Sequence, residues 1–411
     1  MKYAISLLLI SLLFANISCQ QEEDIPTEIQ TIELDEKSAQ LVSAGNEFGF
    51  ELFRNIYDQE TEYENIMVSP LSVSLALAMT YNGANSETQT AMEKTLKVYG
   101  LTPEDINKSY DDLVTALQSL DPKVLLEIAN AIFYRQDFQV ENDFVSVNKT
   151  YYNAEVTALD FASPSALNTI NGWVAEKTHD KIKSILTRIT PSNVMFLLNA
   201  IYFKGIWQKE FNKDNTQNLS FYLDDGNTNN VPTMIKSDTV SYATNNLFSA
   251  IQLPYGFGNY NMYVFLPDPD QSVENIVDEL DENKWDEWME SFGDPVSVDI
   301  QIPRLKYKYE IKLNDVLTEM GMGIAFGGQA DFTGINRYGG LYIDYVKHKT
   351  FIEVNEEGTE AAAVTIVAID KLSAGPQNIQ FQVNRPFLYV ITEKDTGAIL
   401  FMGTVKNPAK D

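Results

Sequence analysis

Between residues 36 and 58 the apolar positions Val42, Phe48, Leu52, Phe53 and Ile56 recur at helical spacing, which predicts an amphipathic first helix. The following stretch, 65–84 (NIMVSPLSVSLALAMTYNGA), begins as a short apolar strand and then turns helical. Ser69 suits the N-cap, Pro70 the first helical position and Gly83 the position just past the end. That helix is apolar almost all round, so it should be buried. Strand-like runs follow at 128–134, 194–203, 250–253, 262–266 and 296–302, with helical patterns at 166–179, 273–291 and 311–320 between them. The C-terminal stretch from Phe381 to Pro408 reads as a hairpin around Lys394-Asp395-Thr396-Gly397. The order shows no regular strand–helix alternation, so the fold class is α+β with large, mostly antiparallel sheets.

One late segment does not fit its surroundings. EEGTEAAAVTIVAID, residues 356–370, mixes helix-forming alanines with a strand-forming Val-Thr-Ile-Val run, and after Glu360 it carries no charge for nine residues. From Gly358 to Leu372 it has no proline, so every N–H is free to join a ladder. At strand spacing Thr359, Ala361, Ala363, Thr365, Val367 and Ile369 share one face, all small or apolar. Glu360, Ala362, Val364, Ile366 and Ala368 share the other. The composition is that of a strand meant for the middle of a sheet.

Charge and composition narrow the function classes. With 30 basic against 58 acidic residues the net charge is −28, which is not the footprint of a nucleic-acid binder. No linker, repeat or low-complexity block marks a boundary, so one large domain is expected over 36–411. Residues 1–18 have the shape of a secretion signal. Cys19, the only cysteine, resembles the acylated cysteine of a bacterial lipobox, although Asn16 stands where that pattern prefers Leu; an ordinary cysteine beside a cleavage site is the alternative. Residues 19–35 read as an acidic flexible tether. The expected location is therefore the outer membrane or cell surface through a lipid anchor, otherwise the periplasm or extracellular space. The chain has two histidines, His179 and His348, neither beside a G-x-S-x-G elbow, and no cluster of metal ligands with suitable spacing. A hydrolase is a poor reading, and neither a cofactor nor a metal is expected.

Several separate stretches, in one order, carry a family resemblance: NIMVSPLSVSLALAM (65–79), NAIYFKGIWQKEF (199–211), LPY (253–255), IPRLKY (302–307), ADFTGI (330–335), VKHKTFIEVNEEGTEAAAVT (346–365), NRPFLYVI (384–391) and FMGTVKNP (401–408). Over about 36–408 the chain resembles a serpin. The resemblance implies an inhibitor, with no enzymatic activity of its own, whose exposed loop, about 356–383 here, is offered to a serine protease as bait. After cleavage the loop's N-terminal part inserts as a new strand of the main sheet and traps the acyl-enzyme. It implies a monomer whose partner is the target protease.

The resemblance also assigns residues. The hinge is Gly358, Thr359, Glu360, Ala361, Ala362 and Ala363. The scissile bond falls at Leu372–Ser373, which suits chymotrypsin-, elastase- or subtilisin-like proteases; a slip of one residue to Lys371 would select trypsin-like enzymes. Ser69, Ser72, Asn199 and His348 resemble a shutter where strands part, and Trp207, Glu356 and Arg304 a breach where the loop enters. For His348 the alternative is a satisfied strand histidine, and for Trp207 plain core packing. A non-inhibitory carrier or chaperone-like serpin remains the alternative function, against which the smooth hinge counts.

Overall fold

The strand-forming runs sort into three sheets in the computed structural model, which describes residues 30–60, 64–359 and 378–410. The central sheet has the order β11 (Leu305–Lys312), β12 (Lys347–Asn355), β13 (Gly358–Thr359), β4 (Met195–Ile206), β2 (Val124–Arg135), β3 (Glu155–Leu159). Apart from the parallel β2–β3 pair its ladders are antiparallel. A second sheet runs β1 (Asn65–Val68), β16 (Ile399–Val405), β15 (Phe387–Glu393), β9 (Tyr260–Pro267), β8 (Phe248–Tyr255), β7 (Tyr242–Thr244). The third runs β14 (Ile379–Gln382), β10 (Val296–Pro303), β6 (Thr228–Val240), β5 (Gln217–Tyr222). Around them lie α1 (Glu36–Gln59), α2 (Pro70–Tyr81), α3 (Ser86–Thr95), α4 (Pro103–Ser119), α5 (Asn142–Tyr152), α6 (Pro164–Lys177), α7 (Val273–Glu279), α8 (Glu282–Glu290) and α9 (Asn314–Leu317). The α+β expectation holds.

Local chemistry explains where elements start. The Asp35 carboxylate accepts from the Ser38 N–H at 2.8 Å and opens α1. Ser69 caps α2 with Pro70 at the first position, and eleven of the twelve α2 residues are buried, as its all-round apolar pattern requires. Two helical expectations need correction. The 273–291 run is two helices, because the chain turns extended at Leu280, which is fully buried, and Asp281 then caps α8 through the Lys284 N–H. The 311–320 run is α-helical only over Asn314–Leu317 and passes into a π-helical turn over Thr318–Met322. The period-two burial of Leu305, Tyr307 and Tyr309 carries β11 on to Lys312, and Gly321 at φ 104° breaks the turn that follows. Residues 30–34, read as the end of the tether, lie against the body: the Asn259 side chain donates to the Gln30 carbonyl at 2.5 Å, and the Ile32 N–H donates to Asp395 at 3.2 Å.

The main core lies between the central and second sheets and α1 and α2. At its centre the Phe203 ring, from β4, packs within 5.2 Å of Tyr255, 5.9 Å of Tyr260 and 6.3 Å of Phe401, centroid to centroid. A smaller cluster under α6 joins Ile170, Trp173 and Val174 to Phe133, Phe196 and Leu198 of β2 and β4. Because Phe203 ties two sheets together, Phe203→Ala should cost about 3–5 kcal/mol. Denaturant unfolding checks this as a lowered midpoint with an unchanged m-value.

Candidate functional site

β4 and β12 face each other, yet among the described residues no ladder joins them directly. Only β13 stands between, at one end: Thr359 pairs with Gly205 on one side and Val354 on the other, and Gly358 with Ile206 and Asn355. The Thr359 side chain points to the core, 4% exposed, with its hydroxyl 2.7 Å from that of Tyr255. Gly358 sits at φ +149°, and a Cβ there would lie 2.0 Å from the Gly205 carbonyl oxygen. Only glycine lets the chain pass between the strands at this point. Farther along the seam lies a cavity of about 240 Å³, lined in part by Leu77, Asn199, Phe332, Tyr345 and His348.

The turn that delivers the chain to this seam is gripped from several elements. The carbonyls of Glu356 and Glu357 accept from the N–H groups of Phe211 and Trp207, both at 2.8 Å. Arg304 meets the Glu356 carboxylate through Nε at 2.8 and 3.1 Å and through Nη2 at 2.7 Å. Thr216 donates to the same carboxylate, and Lys213 pairs with Glu357. Burial alone would push the Glu356 carboxyl up, but hydrogen bonds from Arg304 and Thr216 hold it below its ordinary value. Trp207 stacks on Tyr255 at 4.4 Å and 12°, and its indole N–H donates to the Asn355 carbonyl at 2.9 Å. It therefore packs in the core and also holds the chain just ahead of the hinge.

Near the middle of the seam the four residues assigned to a shutter meet. The Ser69 N–H donates to His348 Nε2 at 3.1 Å, the Ser72 N–H to Ser69 Oγ at 3.3 Å, and Ser72 Oγ to Asn199 Oδ1 at 2.5 Å. The chain continues from Asn199 Nδ2 to Asn130 at 2.9 Å, and from Asn130 to the Tyr152 carbonyl at 2.8 Å. It thus links β12 to β4 and β2 through the start of α2. An amide can only donate, so His348 Nε2 carries no proton and the ring is neutral. Burial agrees, pushing the imidazole down to about 4.

Gly358, Thr359, Glu356, Arg304, Trp207, Ser69, Ser72, Asn199 and His348 therefore gather along one seam. Glu360, Ala361, Ala362, Ala363, Lys371, Leu372, Ser373 and Cys19 lie outside the described residues. Sequence reasoning missed Lys213, Thr216 and Glu357 in the grip on the turn. It also missed Tyr255 under Thr359, whose one signal was its place in LPY, and Asn130 in the polar chain. Among the described residues no group of three or more His, Cys, Asp and Glu side chains is gathered for a metal.

The family model for "Serpin (serine protease inhibitor)" matches residues 43–408. The chain belongs to the serpin family. A serpin-like protein of Methanosarcina mazei is 34% identical over 377 residues, covering 90% of this chain and 87% of its own. The thermophilic serpin Tengpin in its native state superposes with a TM-score of 0.81 at 34% identity, covering 92% of this chain and 96% of its own. Human thyroxine-binding globulin, complexed with thyroxine, superposes with a TM-score of 0.82 at 29% identity, over 90% and 99%. In this serpin the strand gap and the gripped turn belong to one sheet, built by residues far apart in sequence.

The neutral His348 has a measurable consequence. Between its folded value of about 4 and the ordinary 6.5, the unfolded chain binds a proton that the folded chain refuses, so stability falls as pH drops through that window. The slope attributable to this one group is at most about 1.4 kcal/mol per pH unit. Unfolding free energies measured across the window should show that slope reduced by about one proton in His348→Gln relative to the parent.

Proposed function

We propose that this serpin inhibits serine proteases by a suicide mechanism, in which the segment after Thr359 is cut as a substrate and then fills the seam. The observation that carries the reading is the pairing of Gly358 and Thr359 with both β4 and β12, which is a strand begun and not continued among the described residues. In the same register each further residue moves its partner one residue down β4 and one down β12. Ala361 would meet Phe203 and Ile352, Ala363 would meet Ile201 and Thr350, and Thr365 would come between Asn199 and His348. The small, apolar face that starts at Thr359 is then the face turned to the core.

The energy follows from the ladder. A strand from Gly358 to Ile369 would run the length of β4, and about a dozen new backbone hydrogen bonds at about 1 kcal/mol net each rival the whole stability of an ordinary domain, about 5–15 kcal/mol. The uncut protein is accordingly held short of its most stable state. Cleavage at Leu372–Ser373 would release the strand while the protease is still an acyl-enzyme, and the pull would distort the triad and oxyanion hole on which deacylation depends. Leu372 directs the inhibitor to chymotrypsin-, elastase- or subtilisin-like enzymes; Lys371 as bait would direct it to trypsin-like ones. The signal-like N-terminus and Cys19 support export, with a lipid anchor at the bacterial surface and an otherwise monomeric protein.

Mixing the purified protein with chymotrypsin, subtilisin, elastase and trypsin should give a band stable to detergent at the summed mass and a released peptide beginning at Ser373. A peptide beginning at Leu372 would assign the bait to Lys371. Thr359→Arg, which would bury a charge against Tyr255, should abolish the complex while leaving cleavage intact. Cleavage of the parent with no complex would turn the reading to a non-inhibitory carrier, as the likeness to a hormone-bound globulin allows.

A further inference from the structure

The charge of the chain is unevenly spread over the fold. Along the banks and the entry of the seam, cations are matched by carboxylates: Arg304 meets Glu356, Lys213 meets Glu357, Lys306 meets Glu353, and Lys347 and Lys349 share Glu310. Residues 268–294 differ, holding eleven Asp and Glu against the single Lys284, which itself pairs with Glu287 at 2.9 Å. This stretch is α7, α8 and their flanks. Val273, Ile276, Val277, Trp285 and Trp288 are buried, while Glu274, Asp278, Asp286 and Glu290 stand exposed to solvent. The acidic face reaches the end of the molecule where the chain enters the seam. Glu282 and Asp286 of α8 line one groove with Asp395, in the turn between β15 and β16. The neighbouring Lys394 N–H donates to the Asn259 carbonyl at 2.8 Å, and Gly256, in the same turn as Asn259, donates through its N–H to Ile206 of β4 at 2.8 Å. Ile206 is the residue that pairs with Gly358.

Carboxylates that outnumber the nearby cations add to a common field, and the net charge of −28 leaves that field uncancelled. Such a field acts before contact. It raises the rate of encounter with an oppositely charged partner by about 10–10³ and disfavours a like-charged one. Its reach is about 30 Å at 0.01 M salt and about 8 Å at 0.15 M. Two enzymes with the same apolar specificity pocket, one cationic and one anionic, would therefore attack the same bait at different rates. We propose that the targets of this serpin are cationic serine proteases, steered to the bait by the carboxylates of α7 and α8. The inference rests on the inhibitory reading above and adds the partner's charge, which the bait residues do not report.

The test sets the full chain against chymotrypsin with its lysines intact and chymotrypsin whose lysines have been succinylated, each calibrated on a small neutral substrate. The second-order rate of attack on the bait, read as loss of intact chain together with complex formation, is followed from about 0.01 to about 0.5 M salt. At the low end the unmodified enzyme should attack at least about tenfold faster than the succinylated one, and the two rates should converge at the high end. The combined substitution Glu274→Gln, Asp278→Asn, Asp286→Asn and Glu290→Gln should lower the low-salt rate with the unmodified enzyme at least about threefold, leaving the high-salt rate and the Tm unchanged. Equal rates for the two enzymes at low salt, or a gap that salt does not close, overturn the proposal. So does a combined variant that keeps the parent's low-salt rate. Should that variant not fold, Glu274→Gln with Asp278→Asn, confined to α7, carries the assignment. Steered attack with no detergent-stable complex would sink the inhibitory reading and leave the steering standing; complex formation at rates blind to charge and salt would do the reverse.

Discussion

Two long antiparallel-sheet strands, β4 and β12, lie side by side with hydrogen-bonding edges that only Gly358 and Thr359 join among the described residues. A backbone amide that loses water without gaining a partner carries a penalty of about 1–3 kcal/mol. A seam of this length therefore favours any strand that can enter it. The rest of the site either admits such a strand or delays it. Gly358 passes where a side chain would collide with Gly205, and Thr359 supplies a hydroxyl for the buried Tyr255.

The holding interactions come from three directions. Arg304, Thr216, Lys213 and two backbone N–H groups fix the Glu356–Glu357 turn at the entry. The Ser69–Ser72–Asn199–Asn130 chain with His348 ties both banks of the seam to α2 beneath. Asp299 on β10 accepts from the Asn378 and Gln380 side chains where the chain rejoins a sheet. Exposed ion pairs are worth little, but Glu356 is 1% exposed, so its pairing with Arg304 carries more than a surface contact. Because the polar chain runs through a buried neutral histidine, its geometry depends on a ring that loses an acceptor when protonated.

Much of this was legible in the order of residues. The strand-like runs located β2, β4, β8, β9 and β10 to within a few residues at their ends, and Ser69-Pro70 marked the start of α2. The helix expected over 273–291 divided because burying Leu280 outweighs one more turn of helix, a contest decided by neighbours that no local window contains. Likewise Lys213 and Thr216 sit in a polar stretch with no periodicity, and nothing nearby marks them as partners of Glu357 and Glu356, some 140 residues onward.

By itself the sequence determined the helices and strands whose apolar period is strong, and a proline-free, small-residue run after Gly358 fit to become a strand. It also determined, through motifs scattered in one order, the family. The tertiary structure alone decided that Glu356 to Thr359 are buried rather than displayed, that among the described residues β4 and β12 share only β13 between them, and that Asp299 closes on Asn378 and Gln380 at the start of β14. Those facts depend on segments distant in the chain meeting in space. A side chain's partner across such a distance is set by packing and register, whereas composition and local period report only what each segment prefers on its own.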